Sequence, residues 1–212
     1  RVGMLGGGAM GSLFAGLLAA AGREVVVLDR DPEHVAALRD PGLRVEGATD
    51  WQGHVEAHTD PRAVGRVDVL FVWVKSHQTA DALAGAAPLY DDGTTVCTLQ
   101  NGLGNAETVA EFVPGETVVA GTTAHGATLQ APGRVRHAGR GPTVVGGYFG
   151  PAEEHVERVT AALAGAVAVE QVAAVRDAIW EKVLINVGIN AATALARVEN
   201  GRLAASERED AR

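Results

Sequence analysis

The chain of 212 residues has a single cysteine, no cluster of basic residues and no long uninterrupted apolar run. One thiol, Cys97, cannot form an internal disulfide, and it lies in an apolar run. We therefore expect a buried core side chain and a cytoplasmic protein. A net charge of −8 disfavours a nucleic-acid or anionic-membrane partner. No apolar stretch has the length that spans a bilayer, so we expect no membrane segment.

Glycine, in contrast, is abundant at 27 residues, and the first of them form a motif. A G-x-G-x-x-G sequence follows the apolar run 2–5 directly; its residues are Gly6, Gly7, Gly8, Ala9, Met10 and Gly11. An apolar helix pattern (12–21) and a second strand pattern (24–28) come next. This order is typical of a dinucleotide-binding βαβ unit, in which the glycines allow a tight turn, the approach of a pyrophosphate and close helix packing. A glycine-rich turn without a ligand is the alternative interpretation.

Apolar strand patterns alternate with Ala/Leu-rich helix patterns through about the first 120 residues. Strands are predicted at 2–5, 24–28, 67–74, 94–99 and 117–121, and helices at 12–21, 32–39, 78–89 and 105–112. Segments 43–46 and 54–57 are predicted to form an inserted hairpin or two short strands. Continuous apolar strands separated by helices favour a parallel sheet covered on both faces. The predicted fold is therefore α/β, beginning with a Rossmann dinucleotide-binding domain.

The pattern changes near residue 122. Short strands at 122–127, 133–137 and 143–146 predict an antiparallel extension, followed by a helix at 152–164 and a strand at 167–170. From residue 174 the apolar spacing is helical. We predict a Rossmann domain over 1–170 and the first helices of an all-α substrate or dimerisation domain over 171–212. The first residue is not Met and the charged segment 206–212 resembles the start of a helix, so we expect a portion of a longer protein.

A polar stripe crosses the last apolar helix pattern. Lys182, Asn186 and Asn190 recur every four residues and therefore share one helix face. Asparagine is unfavourable inside helices, so its repetition between Ile and Val residues favours a substrate-facing stripe over a solvated one. Lysine supplies a proton and positive charge beside a developing alkoxide, and amides orient hydroxyl and carboxylate groups.

These features together resemble the ketopantoate reductase family, whose members are NADPH-dependent enzymes of pantothenate and coenzyme A biosynthesis. The resemblance covers the whole chain and rests on five motifs in order: GGGAMG at 6–11, VKSHQ at 74–78, LQNGLG at 99–104, GTTAHGA at 121–127, and the series from WEK at 180 to ENG at 199–201.

The resemblance implies roles on the substrate side. Lys182 matches the proton donor to the carbonyl oxygen and also binds substrate. Asn186, Asn190 and Asn200 match substrate-binding positions. Asn101 matches a residue between the nicotinamide end of the cofactor and the substrate, so it is expected to contact both.

The resemblance also implies a cofactor side. Lys75 matches a residue that contacts the cofactor and substrate regions, and it follows a strand end, where open α/β sheets bind ligands. Gln78 and Ala127 match cofactor-lining positions, although Gln78 could also simply begin a helix. His125 is either structural or catalytic. No metal is expected.

Cofactor choice depends on two adjacent residues. The resemblance assigns Arg30 to the 2′-phosphate of NADPH, whereas Asp29 occupies the usual place of an acid that holds the ribose hydroxyls of NAD. Asp29 could instead orient Arg30 or cap the helix that begins near Pro32. We expect NADP(H), with NAD(H) open because of Asp29.

The resemblance implies reduction of 2-dehydropantoate (ketopantoate) to (R)-pantoate, a small 2-oxo acid substrate, and a homodimer as an open alternative to a monomer. Two other functions stay open. One is an NAD-dependent D-2-hydroxyacid dehydrogenase of the same fold, and the other is a non-catalytic dinucleotide sensor. Retention of Lys182 and the asparagines disfavours the sensor.

Overall fold

The computed structural model describes residues 1–198. Its strands are β1 Val2–Leu5, β2 Val25–Leu28, β3 Leu43–Gly47, β4 Trp51–Gly53, β5 Glu56–His58, β6 Val69–Val72, β7 Thr95–Thr98, β8 Val118–Thr123, β9 Gly126–Ala131, β10 Arg134–Gly139, β11 Thr143–Gly147 and β12 Val169–Gln171. Its α-helices are α1 Ala9–Ala20, α2 Pro32–Ala37, α3 Pro61–Val64, α4 Thr79–Gly85, α5 Asn105–Val109, α6 Glu153–Leu163 and α7 Val175–Ala196.

The main sheet has eight strands in the order β12-β11-β8-β7-β6-β1-β2-β5. The six strands from β8 to β5 are all parallel to their neighbours. When these six strands are numbered in chain order and read from β5 to β8, they run 3-2-1-4-5-6. This is the doubly wound Rossmann order, with its switch point between β1 and β6. Strand β11 joins β8 in antiparallel fashion, and β12 pairs with β11 in parallel. The α/β fold with a Rossmann-type sheet and a helical C-terminal region is confirmed.

Alternating residues of the central strands supply two cores. In β6, Val69 and Phe71 belong to one buried cluster, while Leu70 and Val72 belong to the cluster on the opposite face. Because side chains alternate across a strand, a strand buried on both faces must be apolar throughout. This explains the continuous apolar runs from which the parallel sheet was predicted.

A second sheet of four strands, β4-β3-β10-β9, covers the outer side of α1. A Cβ added at Gly16 would lie only 2.7 Å from a methyl of Val45, so helix and sheet are in close contact. Every residue from 11 to 18 is buried. Helix α1 therefore lies between two sheets, and this position explains why it is apolar on all sides.

Several predicted elements differ from the structure. The segments predicted separately at 117–121 and 122–127 contribute instead to one strand, β8, and to the start of β9. The segments at 43–46 and 54–57 contribute to two short strands, which was one of the two predicted alternatives, and not to a hairpin, because β3 pairs with β4 and β10 in the second sheet, while β5 extends the main sheet beside β2. Strand pairing over long sequence distances is decided by packing, which local patterns do not record.

Helix α7 follows β12 and carries the polar stripe. The predicted domain boundary near Gln171 stays a prediction. Asn200 lies outside the described residues. None of the helices within residues 1–198 combines the length and hydropathy needed to cross a bilayer.

Candidate functional site

The glycine loop joins β1 to α1 at the carboxyl edge of the main sheet. Gly6 has a φ of 101°, a conformation that L side chains rarely adopt. A Cβ at Gly11 would lie 1.9 Å from the Gly6 carbonyl oxygen, so the loop closes too tightly for any side chain there. At Gly8, by contrast, a Cβ would have no atom within 4 Å. The loop is thus tight within itself and open outward at Gly8.

Helix α1 begins at this loop without a side-chain cap. The N–H groups of a first helical turn have no partner inside the helix, and the positive end of the helix dipole adds to their attraction for anions. An uncapped N-terminus behind an open glycine is the arrangement that a dinucleotide diphosphate requires. The loop residues therefore fit the phosphate part of such a cofactor.

The end of β2 carries two acids and an arginine. Asp29 is half-buried, and its carboxylate accepts hydrogen bonds from the N–H groups of Gly7 (2.5 Å) and Asp31 (2.9 Å). Asp31 is the N-cap of α2 and accepts from Glu33 N–H at 3.0 Å. The suggestion that Asp29 caps this helix was therefore wrong, because Asp31 caps it. Arg30 is exposed and makes no hydrogen bond or ion pair with any residue in 1–198.

The ends of β6 and β7 place Lys75 and Asn101 at this same edge, and both residues are exposed. The Asn101 backbone carbonyl accepts from Ser76 Oγ at 3.3 Å and from Asn105 Nδ2 at 3.2 Å. Gln78 is half-buried in a short 3-10 turn, Ser76–Gln78, that precedes α4. These contacts hold the two strand-end loops against each other.

Gln100 connects the same two loops, and sequence reasoning did not assign it a role. Its Nε2 donates to the Val74 carbonyl at 2.6 Å and to Thr79 Oγ1 at 3.0 Å, while its Oε1 accepts from Thr98 Oγ1 at 2.9 Å. The only available signal was its position between a predicted strand end and Asn101. Only the fold reveals that it links the segments carrying Lys75 and Asn101.

Lys182 reaches the main sheet from α7. Its Nζ donates to the carbonyl oxygen of Thr123, the last residue of β8, at 2.5 Å. Burial lowers the pKa of this amine. Lys75 and Lys182 are the two lysines of the chain, against 16 arginines, and both lie at the carboxyl edge of the parallel strands.

The other members of the stripe differ in exposure. Asn186 is half-buried, one turn after Lys182, whereas Asn190 is exposed. The same helix exposes several large apolar side chains: Trp180, Leu184, Ile185, Val187 and Leu195. Within residues 1–198 the polar stripe therefore approaches the sheet at its Lys182 end.

Ala127 and a histidine pair lie beyond the end of β8. Ala127 is half-buried in β9 and pairs with His137 of β10. His125 Nδ1 is 3.0 Å from His137 Nε2, and His137 Nδ1 is 2.9 Å from Thr49 Oγ1. Burial, reinforced by the charge of Arg140, lowers the pKa of both histidines. The pair thus joins the segment that follows β8 to the second sheet.

The predicted residues come from several elements. Those contributed by β1, β2, β6 and β7 meet at one edge of the main sheet: Gly6, Gly7, Gly8, Ala9, Met10, Gly11, Arg30, Lys75, Gln78 and Asn101. Lys182 joins β8 from the helical region, and Ala127 comes from the second sheet. No group of metal-binding side chains is found among the described residues.

Comparison with known proteins identifies the family of this chain. Residues 2–149 match the family described as Ketopantoate reductase PanE/ApbA, and residues 174–211 match its C-terminal counterpart. The chain belongs to the ketopantoate reductase family. A 2-dehydropantoate 2-reductase of Halobacterium salinarum is 47% identical over 206 residues, covering 96% of this chain and 68% of that protein. One from Pyrococcus abyssi is 36% identical, covering 94% and 65%.

Solved structures of other proteins superpose on this chain. The 2-dehydropantoate 2-reductase of Geobacter metallireducens gives a TM-score of 0.86 at 29% identity, covering 93% of this chain and 66% of that one. A D-mandelate dehydrogenase with NADH and anilino(oxo)acetate gives 0.83 at 25% identity, covering 91% and 63%. The chain spans about two thirds of the length of the relatives it matches.

Proposed function

We propose that the chain reduces 2-dehydropantoate to (R)-pantoate with NADPH, in the biosynthesis of pantothenate and coenzyme A. The observation that carries this proposal is the position of Lys182, whose Nζ contacts the end of β8 at the carboxyl edge that also bears the glycine loop. A half-buried amine with a lowered pKa at this edge suits proton donation near neutral pH. The names of the relatives support the same substrate.

The cofactor would be held mainly by backbone. Residues 6–11 would bind the diphosphate through the open face at Gly8 and the uncapped start of α1. Its other expected contacts are Arg30, Lys75, Gln78, Asn101 and Ala127. When bound, the reduced nicotinamide supplies a hydride to the ketone carbon.

The chain's own residues supply the proton and the orientation of the substrate. Lys182 holds a proton at Nζ and delivers it to the substrate oxygen as that oxygen becomes an alkoxide. Asn101, Asn186 and Asn190, together with Asn200 outside the described residues, would orient the carboxylate and hydroxyl groups. Thr123 fixes the amine through its carbonyl oxygen.

We further propose a preference for NADPH over NADH. Arg30 is exposed at the end of β2 and has no ion-pair partner among residues 1–198, so its guanidinium is available to a 2′-phosphate. Both oxygens of the neighbouring Asp29 already accept backbone N–H groups.

A second candidate is an NAD-dependent D-2-hydroxyacid dehydrogenase. The half-buried acid at the end of β2 favours it, because such an acid commonly binds the ribose hydroxyls of NAD. The likeness to a D-mandelate dehydrogenase with NADH points the same way. Measuring the rates with NADPH and with NADH for several 2-oxo acids separates the two candidates.

We further propose that the protein is cytoplasmic, that its substrate domain begins near Gln171 and that it forms a homodimer. The dimer is tested by sedimentation equilibrium of the purified protein. A monomer over the working concentration range would contradict it.

The main test follows oxidation of NADPH and of NADH by the absorbance of the reduced nicotinamide, with 2-dehydropantoate as substrate. We expect NADPH to be oxidised faster. Lys182→Ala should abolish turnover and leave NADPH affinity nearly unchanged, because Lys182 acts in the chemical step. Glu181→Ala, an exposed neighbour on the same helix, is the matched control. Equal loss of turnover and NADPH affinity in Lys182→Ala would refute the assigned role.

A further inference from the structure

The peptide groups on both sides of Gly7 are held by side chains. The Gly7 N–H donates to Asp29 Oδ2 at 2.5 Å, and its carbonyl oxygen accepts from Ser12 Oγ at 2.5 Å. Gly7 is buried, and a Cβ there would meet Asp29 and His34 at 3.2 Å each. Gly7 therefore has a fixed orientation, and the open residue Gly8 follows it directly.

The same contacts continue into the second sheet. Because the Ser12 hydroxyl has one hydrogen and donates it to Gly7, the contact of 3.0 Å between Ser12 Oγ and His34 Nε2 requires His34 to donate. The other ring nitrogen, Nδ1, accepts from the Gly133 N–H at 3.1 Å. His34 is 2% exposed, and both its nitrogens are satisfied. The turn between β9 and β10 thus supports the glycine loop through a buried side chain.

Asp29 completes this clamp from the other side. One carboxylate oxygen accepts from Gly7 and the other from Asp31, so each oxygen already has a backbone donor. Hydrogen bonds to an ionised group are among the stronger ones in proteins. A ribose hydroxyl would have to add to these bonds or displace the one that orients the loop.

We propose that Asp29 is a positioning residue for the diphosphate loop, and that it does not discriminate between NADH and NADPH. The clamp formed by Asp29, Gly7, Ser12 and His34 orients the loop before any nucleotide arrives. Both dinucleotides share the diphosphate, so loss of the clamp weakens both by the same factor. Discrimination then belongs to Arg30, the exposed neighbour. This inference rests on the dinucleotide binding proposed above.

The test measures the dissociation constants of NADPH and NADH by fluorescence titration of the purified protein, without a substrate. The variants are Asp29→Ala, Asp29→Asn and Arg30→Ala. Asp60→Ala is the matched control, because Asp60 also accepts a backbone N–H, that of Arg62 at 2.9 Å, but at the start of α3. Hydrogen exchange of the Gly7 amide reports on the clamp itself, and Asp29→Asn keeps the test available if Asp29→Ala does not fold.

We expect both Asp29 variants to raise the two dissociation constants by about tenfold or more, with an unchanged ratio, and to accelerate exchange at Gly7. Arg30→Ala should weaken NADPH alone, and Asp60→Ala neither dinucleotide. Selective loss of NADH in the Asp29 variants would overturn the inference and make Asp29 a reader of the ribose. Unchanged affinities would overturn it as well. Failure of the unaltered protein to bind either dinucleotide would instead refute the proposed function, and the inference with it.

Discussion

Replacing Gly8 by alanine separates the stability of the glycine loop from its ability to bind phosphate. An added Cβ at Gly8 has no neighbour within 4 Å, and the backbone there has a φ of −58° and a ψ of −167°, at the edge of the extended region that alanine adopts. Alanine is a poorer N-cap than glycine, at a cost of about 0.5–1 kcal/mol. Alanine also makes the unfolded chain stiffer, which stabilises the folded protein by about 0.4–1 kcal/mol and offsets the capping cost. We therefore expect the free energy of unfolding to change by less than about 1 kcal/mol.

The effect on nucleotide affinity should be much larger. The methyl group of Gly8→Ala would occupy the space through which a diphosphate reaches the first turn of α1. Losing about two hydrogen bonds to a charged group, each worth about 1.5–3 kcal/mol, removes about 3 kcal/mol or more of binding free energy. We expect the dissociation constant of NADPH to rise about 100-fold or more.

Gly11→Ala is the informative comparison, because its Cβ would lie 1.9 Å from the Gly6 carbonyl oxygen. Relieving that overlap requires the loop to open and disrupts the bond between Gly6 N–H and the Leu28 carbonyl, now 2.9 Å, together with those of Gly7. Three lost hydrogen bonds cost about 3 kcal/mol of stability.

The assay combines urea unfolding of each variant with fluorescence titration of NADPH. Gly8→Ala should unfold as the unaltered protein does and bind NADPH poorly, whereas Gly11→Ala should lose stability and affinity together. Normal NADPH affinity in a folded Gly8→Ala variant would refute the conclusion that the diphosphate approaches the chain at Gly8.

Three further predictions concern the lysine, the first helix and the histidine pair. Burial lowers the pKa of Lys182, and the reaction needs this amine in its protonated form. The value of kcat/KM for reduction should therefore fall as pH rises, with a midpoint below the usual lysine pKa. A midpoint at the usual lysine pKa would contradict the role of Lys182 as the acid. Gly16→Leu should destabilise the fold by about 2 kcal/mol in urea unfolding, because the added Cβ alone would lie 2.7 Å from a methyl of the second sheet, and unchanged stability would show that this contact is loose. His125 and His137 have lowered pKa values in the folded state, so the unfolded chain binds more protons just below pH 6.5. The contribution of these two histidines to stability should therefore be constant above that pH and fall on acidification through the window below it. The fall should be less steep in His125→Gln, as melting temperatures would show; an equal slope in both proteins would contradict this.

The local features of the candidate site could be predicted because each lies within one short segment of the sequence. The glycine loop needs only a strand, a turn and a helix in succession, and all three leave a signal within the first 28 residues. The spacing of Lys182 and Asn186 likewise identifies one helix face without knowledge of the fold.

Other parts could not be predicted because they depend on contacts between distant segments. Pairing of β3 with β10 joins residues about 90 positions apart, so the second sheet leaves no local pattern. The links made by Gln100 and His34 are also nonlocal, and a single glutamine or histidine gives no signal of its partners. Asp29 illustrates the limit best: its position suggests a nucleotide contact, while its observed partners are backbone N–H groups.

The sequence by itself determined the parallel Rossmann sheet, the glycine loop between β1 and α1 and the polar stripe of the C-terminal helix, because each depends on periodicity or on glycines within one short segment. The tertiary structure alone decided what surrounds them. It placed α1 between two sheets, turned Asp29 inward onto Gly7 and brought Lys182 to the carbonyl of Thr123. These outcomes depend on which segments bury each other's apolar surface and satisfy each other's polar groups, and that is settled only when the whole chain packs.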